Sequence, residues 1–333
     1  MQPDNFLQAL PKAELHLHIE GAVPWKMVQN ADKSLPSPPP WWATEYRFEN
    51  FGHFAAIIRQ CYESTLTSLE NYHLAAQGIF NKLVAQNGRY VELSFSLGHA
   101  LVTKLPLNEI IGAIKQAAPA NLVVRVFCGI SRSRPELLQN KLSETLLNLS
   151  GLDGLDLHGD ERAQGPAPFA QLFAQARQRG LALKAHAGEL AGPQSMQVII
   201  DTLQLTRIEH GVTAMEDERL MSRLIAENIT LDMCPTSNIK LRVIEDIAAY
   251  PIKQFLQRGI RVTVSTDNPT ILGCSLTDEL QFLVNRFSFS YHDLAQLQVN
   301  AFQAALMPSA RRAEILTELD HLLARSALVN EIV

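Results

Sequence analysis

Ala13-Glu14-Leu15-His16-Leu17-His18-Ile19 is the stretch on which the reading of this chain turns. On a strand, side chains two residues apart share a face. A strand over Glu14–Ile19 therefore projects His16 and His18 together. Seven further β-type runs follow: Tyr90–Ser96, Leu122–Ile130, Gly154–His158, Ala182–His186, Arg207–Gly211, Ile229–Cys234 and Arg261–Ser265. Helical periodicity fills most intervals and is clearest in Phe169–Arg179, Pro193–Leu203, Glu216–Glu227 and Tyr250–Arg258. Gly180 and Gly259 stand where helices commonly end. Strand and helix alternating eight times predict an α/β chain closed as a (β/α)8 TIM barrel. An open doubly wound sheet is the alternative, weakened by the lack of a Gly-rich dinucleotide fingerprint after the first strand.

Two regions depart from the repeat. About seventy residues separate the first two strands, more than a crossover needs. This insertion holds the proline-rich loop Ser34–Trp42, then helical segments over Phe51–Glu63 and Leu69–Gln86. Phe48, Phe51, Phe54 and Ile58 fall at near-helical spacing, which fits either ordinary core or the inner side of a moving lid. After the last strand, Leu276–Arg286, His292–Leu306 and Arg311–Ala327 read as terminal helices. No repeat or charge block marks a second domain, so residues 1–333 are expected to form a single barrel domain.

Composition excludes several classes. The 333 residues are 47% hydrophobic, as expected of a soluble globular protein. A formal charge of −5 argues against non-specific nucleic-acid binding, which needs a basic face. The four cysteines are far apart and form no CxxC pair, against a cysteine-type zinc site or disulfide scaffold. With neither a signal-peptide pattern nor an apolar run that would span a bilayer, a cytoplasmic enzyme with no membrane partner is expected.

The chemistry gathers at strand ends. His16 and His18 close the first strand, His186-Ala-Gly-Glu189 the fifth, Glu209-His210-Gly211 the sixth and Ser265-Thr-Asp-Asn-Pro269 the eighth. The C-terminal ends of barrel strands are where such folds build active sites. Neutral imidazoles with one carboxylate suit zinc with an open position, and the metal lowers the pKa of bound water to about 7. Glu189, just past its strand, can stay protonated in a dry pocket and act as a general acid; the plainer alternative is a salt bridge. Asn268 offers an amide that donates and accepts toward a heterocycle, or simply a turn before Pro269. His158, ahead of a Gly-Asp-Glu turn, is expected to line the site. His53, His73, His99, His292 and His321 lack a matching cluster and are expected to be structural.

Taken in order, Leu10–Gly21, Asp156–Glu161, His186–Glu189, Arg207–Val212, Cys234–Asn238 and Ser265–Pro269 resemble the adenosine/adenine deaminase family of the amidohydrolase superfamily. The resemblance runs over nearly the whole chain. It implies one zinc ion held by His16, His18, His186 and Asp267. It also implies that His210 orients and deprotonates the attacking water, and that Glu189 protonates purine N1. By the same resemblance, the Gly159 amide meets N3 and Asn268 contacts N7, where the family commonly has Asp. The implied reaction is hydrolytic deamination of an adenine ring, with ammonia leaving and a purine as the small-molecule partner.

Substrate signals divide. Glu20 stands where adenosine deaminases usually carry an Asp that contacts the ribose 5′-hydroxyl, and the Glu form resembles adenine deaminases. Asp156–Glu161 is closer to the nucleoside pattern. The sequence reading therefore puts adenosine or 2′-deoxyadenosine first, adenine second, and a modified adenine nucleoside such as aminodeoxyfutalosine third. Two rivals predict other features. A binuclear amidohydrolase usually has a bridging lysine at the fourth strand end, where this chain has Leu157-His-Gly-Asp160; a degenerate, purine-binding barrel would have lost its ligands.

Overall fold

The computed structural model describes residues 3–138 and 141–330. Eight strands lie parallel in sequence order: β1 (Lys12–His18), β2 (Gly88–Ser96), β3 (Val123–Ser131), β4 (Gly154–His158), β5 (Ala182–Ala187), β6 (Arg207–His210), β7 (Thr230–Met233) and β8 (Arg261–Val264). Each begins and ends within two residues of its sequence-predicted run. The sheet returns on itself through a parallel bridge between Leu17 and Asp267, with His18 N donating to Asp267 O and Asp267 N to His16 O, both at 2.9 Å. The architecture is a (β/α)8 barrel.

Side chains stitch the seam between β8 and β1 where ladder bonds are sparse. Leu15 N donates to Ser265 Oγ (3.2 Å), and Glu14 accepts from Thr266 N (3.1 Å) and Thr266 Oγ1 (2.8 Å). These bonds run close beside His16 and Asp267, so closing the barrel and bringing those two side chains together are one event.

The helices form for local reasons and pack for global ones. Asp217 caps Glu218–Ala226 through the N–H groups of Arg219 and Leu220, and the helix buries Leu220, Met221 and Leu224. Ser275 with Asp278, and Ser290 with Asp293, form capping boxes for Leu276–Phe287 and Tyr291–Ala304. The latter packs on β8 and β1, and its Gln298 accepts from Ala13 N at 3.0 Å. Gly180 and Gly259 hold φ of 77° and 82° at helix ends, a region open to glycine at little steric cost. In the segment between β1 and β2, Phe48 and Phe54 are buried with ring centroids 4.9 Å apart, as core residues, while Phe51 and Ile58 are half-buried. Among the described residues no helix is long and apolar enough to cross a membrane.

The barrel interior is charged as well as apolar. Arg207 reaches Glu92 on β2 at 2.8 and 2.9 Å and Asp232 on β7 at 2.5 and 3.1 Å. Lys184 on β5 donates to Leu15 O and lies 2.9 Å from Glu209. Asp156 on β4 accepts from Ser94 Oγ at 2.7 Å. Glu92, Asp156, Glu209 and Asp232 thus outnumber Lys184 and Arg207, and all six are buried. Strand alternation conceals this layer in the sequence, because each member looks like an isolated polar residue in an apolar run.

Candidate active site

His16, His18, His186 and Asp267 converge at the C-terminal mouth of the barrel. His18 Nε2 is 3.3 Å from His16 Nε2 and 3.2 Å from His186 Nε2. Asp267 Oδ1 is 3.5 Å from both His16 Nε2 and His18 Nε2. Burial pushes all three imidazoles toward the neutral form: His18 to about 3, His16 and His186 well below the usual histidine value. Three largely neutral rings therefore turn lone pairs toward one small space. Asp267, also buried, is pushed up to about 7 by lost hydration. A cation at the centre relieves both penalties. Zinc–ligand bonds of about 2.0–2.2 Å in a tetrahedron place donors roughly 3.3–3.5 Å apart, so these separations fit such an ion.

The supporting contacts orient these donors. Asp267 sits at φ 60°, a left-handed conformation rare outside glycine and often found at functional sites. Its Oδ2 accepts from Ser237 Oγ at 2.7 Å and its Oδ1 from Asn268 Nδ2 at 2.5 Å. His16 Nδ1 faces Asp232 O at 3.4 Å and Cys234 Sγ at 3.3 Å, leaving Nε2 for the centre.

Glu189 and His210 lie beside the cluster. Glu189 Oε2 is 3.5 Å from His210 Nε2, and His210 Nε2 is 3.2 Å from His186 Nδ1. Desolvation, then repulsion from Asp267 and Glu161, raises the Glu189 carboxyl well above its ordinary value, so it keeps its proton. Burial lowers His210 to about 4. Its Nδ1 is 3.0 Å from Asn238 Nδ2, and Tyr250 OH donates to Asn238 Oδ1 at 2.9 Å. The neutral ring carries one hydrogen, on Nδ1 or on Nε2, and the other nitrogen accepts. To take a proton at Nε2 the ring must carry its hydrogen on Nδ1, with the Asn238 amide oxygen turned to accept it.

The remaining sequence candidates are distributed around this centre. Asn268 is buried against Gly21, where an added Cβ would come 1.9 Å from Asn268 Oδ1; glycine in the first motif makes room for that amide. Gly159 follows β4 at φ 94°. The half-buried His158 ring lies 5.7 Å from that of His18, as expected of a lining residue. Glu20 is buried, and its Oε1 accepts from Ser96 N at 2.7 Å, at the start of the helix Leu97–Thr103. His73 and His99 lie elsewhere, bonded to Ala113 O and Leu66 O. Sequence reasoning assigned no role to Ser237, Asn238, Tyr250 or Glu161. All but Tyr250 sit inside motifs already singled out, which was the only available signal.

A family model described as adenosine deaminase matches residues 11–322. The chain belongs to the adenosine deaminase family. It is accordingly a hydrolase acting on the C–N bond of a cyclic amidine. It is 34% identical over 322 residues to an adenine deaminase of Rhodospirillum rubrum, a match covering 93% of this chain and 96% of that one. It is 30% identical over 326 residues to an adenine deaminase of Cupriavidus taiwanensis, covering 95% and 93%. An adenine deaminase structure from Arthrobacter aurescens shares the fold with a TM-score of 0.83 at 24% identity, covering 95% of this chain and 99% of that chain. A zinc-bound amidohydrolase structure from B. ambifaria shares it at 0.84 and 22% identity, covering 97% and 94%.

Proposed function

We propose that this chain converts adenine to hypoxanthine, releasing ammonia, with one zinc ion held by His16, His18, His186 and Asp267. The observation that carries the choice of adenine is the run of full-length relatives at 30–34% identity that are adenine deaminases. This reverses the order taken from the sequence, in which adenosine came first. Glu20, whose carboxyl is buried on Ser96 N, agrees with the change, since the Glu form of the first motif resembles adenine deaminases.

The ion would supply Lewis acidity, bringing the pKa of water to about 7. The protein's own groups do the rest. Glu189, kept protonated by burial, gives its proton to purine N1, which draws electrons from C6 and opens it to addition. His210, in the tautomer with its hydrogen on Nδ1 and the Asn238 amide oxygen turned to accept it, orients the water through the Nε2 lone pair and takes its proton there. Asp267, held by Ser237, steadies the same water. Asn268 has one N–H engaged with Asp267 and a second for purine N7, and the Gly159 N–H serves N3.

The test is ammonia release by the zinc-loaded protein from adenine, adenosine, 2′-deoxyadenosine and aminodeoxyfutalosine. Adenine is expected to give the highest kcat/KM. A nucleoside outpacing adenine restores the earlier order; no release from any of them revives a purine-binding barrel without turnover.

A further inference from the structure

Glu161 is buried, lies in the turn after β4, and has no place in the reaction as described. Its Oε1 accepts from Glu189 N at 2.7 Å and Leu190 N at 2.9 Å, and its Oε2 from Gly188 N at 2.9 Å and Ser195 Oγ at 3.4 Å. Three consecutive backbone N–H groups thus point at one carboxylate. Charge-assisted bonds of this kind are about twice as strong as neutral ones. The loop they hold leaves β5 through Gly188 at φ 68°, where a Cβ would lie 2.3 Å from Met196 Sδ and 3.0 Å from Thr213 Oγ1. Arg132 also braces the strand end, donating to His186 O at 2.5 Å.

We propose that Glu161 is a positioning residue: by gripping the N–H groups of Gly188, Glu189 and Leu190, it fixes the backbone from which Glu189 reaches the purine. This rests on the reading of Glu189 as the acid. The physical reason is geometric. Glu189 sits on a short loop outside any helix or strand, so no ladder holds its main chain. A proton donor must hold hydrogen-bond distance to its acceptor, and a displacement of 1 Å can cost about 100-fold in rate. Strand β5 positions His186 but stops at Ala187, so the grip on Glu189 comes from another loop.

Glu161→Gln is the discriminating substitution. Its amide oxygen can still accept from two N–H groups, but its NH2 faces the donors of Gly188 and Ser195. The expected result is wild-type zinc content, KM within about threefold, and kcat lowered roughly 10- to 100-fold. Amide hydrogen exchange at residues 188–190 should accelerate in the same variant. Combined with Glu189→Gln, it should cost almost nothing further, because both substitutions act through one proton transfer. Glu161→Asp, shorter by one methylene, should fall between it and wild type, and carries the same comparison should the Gln variant not fold. Wild-type kcat in Glu161→Gln, unchanged exchange, or multiplicative losses in the double variant would overturn the proposal. Inactivity of the wild-type protein toward every purine would instead sink the deaminase reading, while the exchange measurement still decides whether Glu161 holds the loop.

Discussion

Glu189→Gln isolates the proton that Glu189 is held to contribute. The side chain is 3% exposed, and desolvation leads the causes that keep it protonated, with Asp267 and Glu161 adding negative charge. Gln fills nearly the same volume and still offers an N–H to purine N1, but it has no proton to transfer. Binding should therefore change little, with KM within about threefold, while kcat falls by the ~10²–10⁴-fold typical of a lost general acid. That range is about 3–5 kcal/mol of activation free energy. Ammonia release at saturating adenine gives kcat, and metal analysis of the same sample checks that the ion is retained. The pH dependence has a definite sign. Because the protonated form works, wild-type kcat should decline as pH rises through the raised Glu189 value, and the Gln variant should lack that limb. A metal-replete Gln variant within tenfold of wild-type kcat would refute the assignment, as would a loss confined to KM.

Other perturbations follow from the same geometry. Chelation should lower the melting temperature, because it leaves imidazole nitrogens 3.2–3.3 Å apart with no cation between them; one equivalent of zinc per chain should restore it, and two tightly bound ions would favour a binuclear site. Gly21→Ala places a Cβ 1.9 Å from Asn268 Oδ1, so Asn268 must move. The expected cost is about 1–3 kcal/mol in denaturant unfolding, with a raised KM; an unchanged KM would remove Asn268 from substrate binding. Glu279 is buried and pushed up to about 8, chiefly by desolvation, while accepting from Thr236 N. Its unfolded value is about 4.3, so the folded state holds the extra proton between the two. Its contribution is full below the unfolded value and is lost as pH rises through about 8. Glu279→Gln should flatten the fall in melting temperature between about pH 4 and about pH 8; an unaltered slope would assign that fall to other groups.

Most of the barrel was legible because its signals are local. Apolar runs set β1 to β8, and Gly180 and Gly259 marked helix ends that the structure places at positive φ. The meeting of His16, His18, His186 and Asp267 was legible because each falls at a strand end, and a parallel barrel puts all such ends on one rim. Phe48 and Phe54 are both buried in an aromatic cluster. Apolar spacing alone does not separate a gate from a core.

The sequence by itself determined the alternation of strands and helices, the residues able to meet a metal, and membership of a deaminase family. These depend on residue type and spacing along one element. Tertiary structure alone decided what those residues face. It placed Asn238 and Tyr250 behind His210, Ser237 on Asp267, Glu161 under the Glu189 loop, and six charged side chains inside the barrel. Each such pairing joins separate segments, and its energy depends on distance and lost hydration, neither of which is written in the order of residues.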